Sequence, residues 1–247
     1  MPDHFVIVGA QRSGTTYLYG LLDEHPQIEM AKPLRPEPKF FLDYDEYSLG
    51  LDAYEAKYFS DPAARVRGEK STSYIESGVA ARRIHAMLPG ALVVVVVRDP
   101  VARAMSNYHF TKHNGIEDLD AADALRQAAT SDRPWDRTRF SVSPFDYLAR
   151  GRYVDALERY ALHIPREQIH VLVFEELVAD PEVIGAFYER LGVDPMFRPT
   201  GLGTPLNAAP SADDVPGPQL ETWLRDYFRV PNRELEEFLG RPLPWPS

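Results

Sequence analysis

Short apolar runs alternate along this chain with stretches whose apolar residues recur at helical spacing. Phe5 to Val8 is a continuous apolar run that predicts a buried strand. From Thr15 and Thr16 onward, Leu18, Leu21 and Leu22 fall on one face of a predicted helix, which His25-Pro26 stops. Gln27 to Met30 predicts a short strand. Residues 32–39 hold three prolines, which exclude a regular helix or a central strand there. Leu51 to Phe59 predicts a short helix with Tyr54 and Tyr58 on one face, and Val66 to Lys70 a strand. Ser77 to Leu88 reads as a helix that turns Val79, Ile84, Met87 and Leu88 inward and ends at Pro89-Gly90.

Leu92 to Val97 is the strongest strand signal, an aliphatic run suited to the centre of a sheet. Asp99-Pro100 starts a helix expected to reach about Lys112 and to end at Asn114-Gly115. Further helices are expected over Asp120 to Ala129, Arg152 to Leu162, and from Asp180-Pro181 to Leu191, with a buried strand over Ile169 to Phe174. Residues 194–218 read as a long irregular loop, and Gln219 to Leu239 as helix broken at Pro231. This alternation predicts an α/β chain with a P-loop-like three-layer fold, a central parallel sheet flanked by helices, as one domain over residues 1–247.

Charge and composition narrow the partners. The net charge of −10 argues against nucleic acid as a bulk partner, so any anion site must be a local basic pocket. The chain has no cysteine, which excludes disulfides, thiolate-ligated zinc and a cysteine nucleophile. It enters a strand almost at once, with no basic leader, and its longest apolar run, Ala91 to Val97, is far too short to span a bilayer. The expected compartment is the cytoplasm.

The chemistry starts at the first strand-to-helix turn. Gly9 and Gly14 bracket Ala10, Gln11, Arg12 and Ser13, and Thr15 and Thr16 open the helix. A strand, a glycine-bracketed loop and a helix N-terminus make a phosphate cradle, because loop N–H groups and the helix dipole converge. The spacing is that of a nucleotide-binding P-loop, yet Thr15 stands at the usual lysine position and the cation is Arg12, inside the loop. That favours a phosphorylated nucleotide without a γ-phosphate over ATP.

Other segments carry candidate groups with plainer readings beside them. Glu37, in the proline-stiffened segment ahead of Phe40 and Phe41, is a general-base candidate or a surface carboxylate. Lys70, at a strand end, is placed to stabilise a leaving oxygen or is simply exposed. Arg98 ends the best strand, where open parallel sheets bind ligands, and with Ser106 suits a second phosphate; its alternative is an ion pair with a carboxylate such as Asp99. Arg103 reads equally as solvated or ion-paired. His109 and His113 have metal-ligand spacing but no third ligand, so no metal is expected, and polar-surface or acceptor-pocket roles are favoured. Tyr108 and Phe110, and the stripe of Trp223, Leu224, Tyr227 and Phe228, read as packing.

Taken in order, four segments resemble the sulfotransferases that use 3′-phosphoadenosine-5′-phosphosulfate (PAPS). The resemblance is to the branch of bacterial carbohydrate or small-molecule enzymes, heparan-type enzymes and tyrosyl-protein sulfotransferases, and runs from about Phe5 to Leu191. Gly9–Thr16 resembles the 5′-phosphosulfate loop, which implies that Gln11, Arg12, Ser13, Gly14, Thr15 and Thr16 bind the donor. Pro36–Phe41 resembles the family's K-E-P-H-F-F segment and implies Glu37 as base; Glu69–Tyr74 resembles E-K-S-P-S-Y and implies Lys70 near the reaction. Val96–Tyr108 resembles the 3′-phosphate motif, with Arg98 and Ser106 as ligands, and Gly151-Arg152-Tyr153 a supporting G-x-Y element. Arg12 stands where lysine is frequent, Arg35-Pro36 replaces the lysine before the base, and Lys39 stands where histidine is common. The implied reaction is sulfuryl transfer from PAPS to a carbohydrate or small-molecule hydroxyl, releasing 3′,5′-adenosine bisphosphate and needing no metal. A P-loop kinase of a small molecule and a non-catalytic nucleotide-binding module are the alternatives; the missing Walker lysine weighs against the first, Glu37 and Lys70 against the second.

Overall fold

Five parallel strands lie side by side in the order β2-β3-β1-β4-β5 in the computed structural model, which describes residues 3–204 and 216–246. The strands are β1 (His4–Gly9), β2 (Ile28–Met30), β3 (Val66–Lys70), β4 (Leu92–Val97) and β5 (Ile169–Val173). β1 pairs with both β3 and β4, so the chain's first strand is the middle of the sheet. The helices are α1 (Thr15–Asp23), α2 (Tyr44–Ser48), α3 (Leu51–Tyr58), α4 (Gly78–Met87), α5 (Pro100–His113), α6 (Ala121–Ala128), α7 (Tyr153–Ala161), α8 (Phe174–Ala179), α9 (Pro181–Leu191) and α10 (Pro218–Leu239). Because all strands run the same way, the C-terminal ends of β1, β3 and β4 share one edge, where ligands bind in such sheets.

Residues group into two compact units. The first runs to Val97 and resumes at Leu157; the second comprises Arg98–Ala156 together with the C-terminal helix. The first unit holds the sheet. One face of the sheet presents Phe5, Ile7, Val94 and Val96, packed with Leu18 and Leu22 of α1 and Ile184, Phe187 and Leu191 of α9. β1 and β4 are buried throughout, which is why they read as unbroken apolar runs. The second unit has its own core, built from Val101, Met105 and Tyr108 of α5, Leu125 of α6, Tyr147, and Leu220, Leu224 and Phe228 of α10.

The elements depart from the sequence expectation at a few places. β5 is a sheet edge with its first three residues only half-buried, and Phe174 opens α8 instead of ending the strand. In α4 the buried residues are Ala80, Ala81 and Ile84, with Met87 half-buried and Leu88 buried at its end as expected; Val79 is instead 43% exposed, since at helical spacing it lies well round the helix from Ile84. α10 continues through Pro231 unbroken: the buried stripe of Leu220, Leu224, Phe228, Pro231 and Leu235 outweighs the one backbone bond that a proline removes. Phe110 is 45% exposed, whereas Tyr108 packs inward. Residues 194–204 carry no helix or strand, and the rest of the loop expected over 194–218 lies largely outside the described residues.

Phe187 is fully buried on the sheet's packed face, edge-on to Phe5 at 6.2 Å and stacked on His170 at 5.1 Å. Phe187→Ala is expected to destabilise the fold by about 3–5 kcal/mol through the cavity it leaves, read from urea unfolding. A loss under about 1 kcal/mol would mean that this face collapses around the gap.

Candidate active site

The turn after β1 is shaped by two residues with left-handed backbone. Arg12 has φ 66° and Gly14 φ 89°, the latter as the residue that caps α1. Gly14 is required twice over: its φ suits glycine, and a Cβ there would lie 2.1 Å from the Phe174 ring. Ser13 is fully buried and gives its N–H to the Ala10 carbonyl at 3.3 Å, while Arg12 is exposed and Gln11 half-buried. Thr15 and Thr16 form the first turn of α1, which carries no acidic residue, and no side chain caps its N-terminus. The helix therefore presents its dipole and first N–H groups to an incoming anion without competition from its own carboxylates.

Glu37 and Lys70 are brought together although 33 residues separate them. The Lys70 ammonium donates to Glu37 Oε1, and both groups are largely buried, with 4% and 18% of their side chains exposed. Thr72 completes the grip: its N–H donates to Glu37 Oε2 at 2.9 Å, and its hydroxyl lies 3.1–3.2 Å from both carboxylate oxygens. The surface-loop reading of Glu37 and the exposed reading of Lys70 are thus both set aside by burial and pairing. Thr72 is the partner that sequence reasoning missed; the signal lay in the E-K-S-T run itself, whose hydroxyls follow the strand end directly.

The loop beyond Glu37 is anchored by aromatic packing. Phe40 and Phe41 are buried, with ring centroids 4.8 and 5.4 Å from Tyr54 of α3. Tyr58 gives its hydroxyl to the Pro38 carbonyl at 3.4 Å. α2 follows directly, capped by Asp43, whose carboxylate accepts the Glu46 N–H at 3.0 Å. That helix also went unread in the sequence, although an aspartate three residues ahead of a glutamate is a capping signature.

In the second unit, Arg98 follows the last residue of β4 and is half-buried, as is Ser106 in α5. The main chain of Arg98 is clasped by Tyr153, whose hydroxyl donates to the Arg98 carbonyl at 2.7 Å and accepts its N–H at 3.3 Å. Gly151 lets Phe228 and Pro100 pack close, since a Cβ there would lie 2.7 Å from the Phe228 ring. The Gly151-Arg152-Tyr153 element thus supports Arg98 through the backbone. Asp99 caps α5 and is held bidentately by Arg225 at 2.7 and 2.8 Å. Arg103 is not solvated: it is fully buried and donates to Asn107 Oδ1 at 3.2 Å and to the Tyr147 carbonyl. Among the described residues, no group of three or more His, Cys, Asp or Glu side chains converges as a metal site, and no helix is long and apolar enough to cross a membrane.

These features sit on a chain with identifiable relatives. A family model for the sulfotransferase domain matches residues 2–194. Human heparan sulfate glucosamine 3-O-sulfotransferase 6 is 27% identical, across 97% of this chain and 72% of that protein. The bifunctional heparan sulfate N-deacetylase/N-sulfotransferase of Drosophila melanogaster is 26% identical across 78% of this chain, which spans only 20% of its length. The crystal structure of a sulfotransferase from Alicyclobacillus acidocaldarius matches with a TM-score of 0.76 and 27% identity, covering 98% of this chain and 97% of that one. The parallel sheet, with helices on both sides, is the fold of that structure. The kinase and non-catalytic readings give way here, and the chain belongs to the sulfotransferase family, as a transferase enzyme.

Proposed function

We propose that this enzyme moves a sulfuryl group from PAPS to a hydroxyl of a carbohydrate or small-molecule acceptor, with Glu37 as the general base. The observation that carries this reading is the Glu37 carboxylate, fixed by Lys70 and Thr72 on a proline-braced loop of the unit that also holds the Gly9–Gly14 turn. The two heparan sulfate enzymes above support a sugar hydroxyl or amine as the type of acceptor, and a hydroxyl is the group for which a carboxylate base is suited.

PAPS supplies the sulfuryl group and, as leaving group, 3′,5′-adenosine bisphosphate. The acceptor oxygen bonds to sulfur as the bond from sulfur to the bridging phosphate oxygen breaks, and the acceptor proton passes to Glu37. Negative charge grows on the bridging oxygen, where Arg12, the α1 N-terminus and Lys70 would stabilise it. Proton transfer and charge stabilisation are coupled through the Lys70–Glu37 pair. As Glu37 gains the proton it loses its attraction for the Lys70 ammonium, which is then released toward the leaving oxygen. Gln11, Ser13, Gly14, Thr15 and Thr16 would hold the 5′ end of the donor. Arg98 and Ser106 would bind its 3′-phosphate, and positioning of the two substrates would contribute much of the rate.

The donor assignment is tested by thermal shift. 3′,5′-Adenosine bisphosphate is expected to raise Tm more than AMP or ATP at equal concentration. Arg98→Ala should weaken bisphosphate binding by about 1.5–3 kcal/mol in calorimetry while the protein stays folded. Equal protection by ATP, or unchanged affinity in the variant, would count against this reading.

The base assignment is tested by Glu37→Gln, which keeps the shape and one oxygen acceptor but cannot take a proton. With saturating PAPS and a panel of sugar and phenolic acceptors, turnover is expected to fall by roughly 10²–10⁴-fold with donor KM little changed. Near-normal turnover would remove Glu37 from proton transfer and leave the donor site standing.

A further inference from the structure

Behind Glu37 lies a second carboxylate for which the reaction as derived has no role. Glu69 precedes Lys70 on β3 and is completely buried. Its Oε1 accepts the Ser71 hydroxyl at 2.7 Å and the Tyr74 hydroxyl at 2.6 Å, and its Oε2 accepts the Tyr54 hydroxyl at 2.9 Å. Each of the first two hydroxyls, having spent its proton on Glu69, turns a lone pair to the loop. Ser71 Oγ accepts the Lys39 N–H at 2.9 Å, and the Tyr74 hydroxyl accepts the Phe41 N–H at 3.1 Å. Hydroxyls can donate or accept, so their direction is set by the strongest acceptor nearby. A buried carboxylate is that acceptor, and it orients both hydroxyls to receive amides.

We propose that Glu69 is the positioning residue of the base loop: through Ser71 and Tyr74 it fixes the main chain at Lys39 and Phe41, and so the place of Glu37. The inference deepens the reading of Glu37 as base and rests on it for its effect on turnover. Two further observations support it. Tyr54 and Tyr74, which bind Glu69, also pack against the Phe40–Phe41 pair, so the polar and apolar anchors of the loop share the same side chains. Burial also pushes the Glu69 carboxyl up to about 7, the three hydroxyls pulling it back; a carboxyl kept at that cost is better explained by what it holds than by packing.

The test uses four variants of the whole chain. Ser71→Ala and Tyr74→Phe each remove one hydroxyl and leave Glu69 in place; Glu69→Leu removes the acceptor; Glu69→Gln keeps an amide oxygen where Oε1 stood, with its NH2 toward Tyr54. Hydrogen exchange by mass spectrometry reads the loop without any substrate. Exchange of the segment over 37–42 is expected to quicken at least tenfold in Ser71→Ala and in Glu69→Leu, with β1 and β4 unchanged, and to return most of the way in Glu69→Gln. Turnover with PAPS and the acceptor panel should drop about tenfold to a hundredfold in Ser71→Ala and Glu69→Leu, with donor KM within twofold, because a base displaced by about 1 Å loses that much. The Gln variant should recover most of it. If Glu69→Leu does not fold, Ser71→Ala carries both readouts alone. Unchanged loop exchange in Ser71→Ala, or a Gln variant as loose as Leu, would overturn the proposal, since a role in filling space predicts the reverse order. A loop that loosens while Glu37→Gln retains full turnover would leave the positioning role intact and sink the base assignment instead.

Discussion

Side chains alternate across a strand, and at the end of β3 that alternation decides what the site is made of. Val66, Gly68 and Lys70 face one side of the sheet, Arg67 and Glu69 the other. On its side, Lys70 reaches the Glu37 carboxylate; on the opposite side, Glu69 reaches the hydroxyls that hold the chain just beyond Glu37. Two adjacent residues, a glutamate and a lysine, thus grip one loop from two directions, the lysine through the loop's side chain at Glu37 and the glutamate through its main chain. A slip of one residue in the pairing of β3 with β1, where Lys70 lies opposite Ile7, would exchange them: the carboxylate would meet Glu37 and the ammonium would be driven into an aromatic core. The register of a single central pair of strands is therefore a condition of the site.

The parts of this structure that were legible in the sequence are those fixed by local patterns. Continuous aliphatic runs gave β1 and β4 because both are buried on two faces, and Asp99-Pro100 and Asp180-Pro181 gave two helix starts because capping is local. Pro231 misled because propensity is local while its compensation, the buried stripe along α10, is tertiary. The candidate side chains were legible one at a time, but what each of them touches was not. Glu37 alone reads as a surface residue of a loop, and only the fold delivers Lys70 and Thr72 to it from 33 and 35 positions away. Glu69 was hidden for the opposite reason: in the run it shares with Lys70, Ser71 and Thr72, nothing local distinguishes a carboxylate that is buried from one that is solvated.

Keeping Glu69 costs stability, and the sign is definite. Its carboxyl lies at about 7 in the folded chain against 4.5 for the free group, so the folded state holds the proton more tightly. This group's contribution is fully present below pH 4.5 and is lost as pH rises to about 7, above which the ionised form is buried at a net cost. An apolar residue of similar size would avoid that penalty but would leave the hydroxyls of Tyr54, Ser71 and Tyr74 without their acceptor. The loop they hold already has its prolines and its buried phenylalanines, which limit where it can go. Hydroxyl-to-amide bonds add what packing lacks: direction, fixing the main chain on either side of Phe40.

The second unit solves a related problem by different means. Arg98 follows a strand and precedes a helix, and an abrupt change of backbone direction needs fixing on both sides. Asp99 fixes the helix side, accepting the Val101 N–H at 3.0 Å while Arg225 of α10 neutralises its charge. Tyr153 fixes the strand side, occupying both the N–H and the carbonyl of Arg98 with one hydroxyl. Further along α5, Arg103 is sunk into the core, and its guanidinium is made tolerable there by the Asn107 side chain and the Tyr147 carbonyl. Two arginines of one motif are thus gripped at different groups. Arg103 is held by its guanidinium, whereas the Tyr153 hydroxyl holds Arg98 by its peptide N–H and carbonyl.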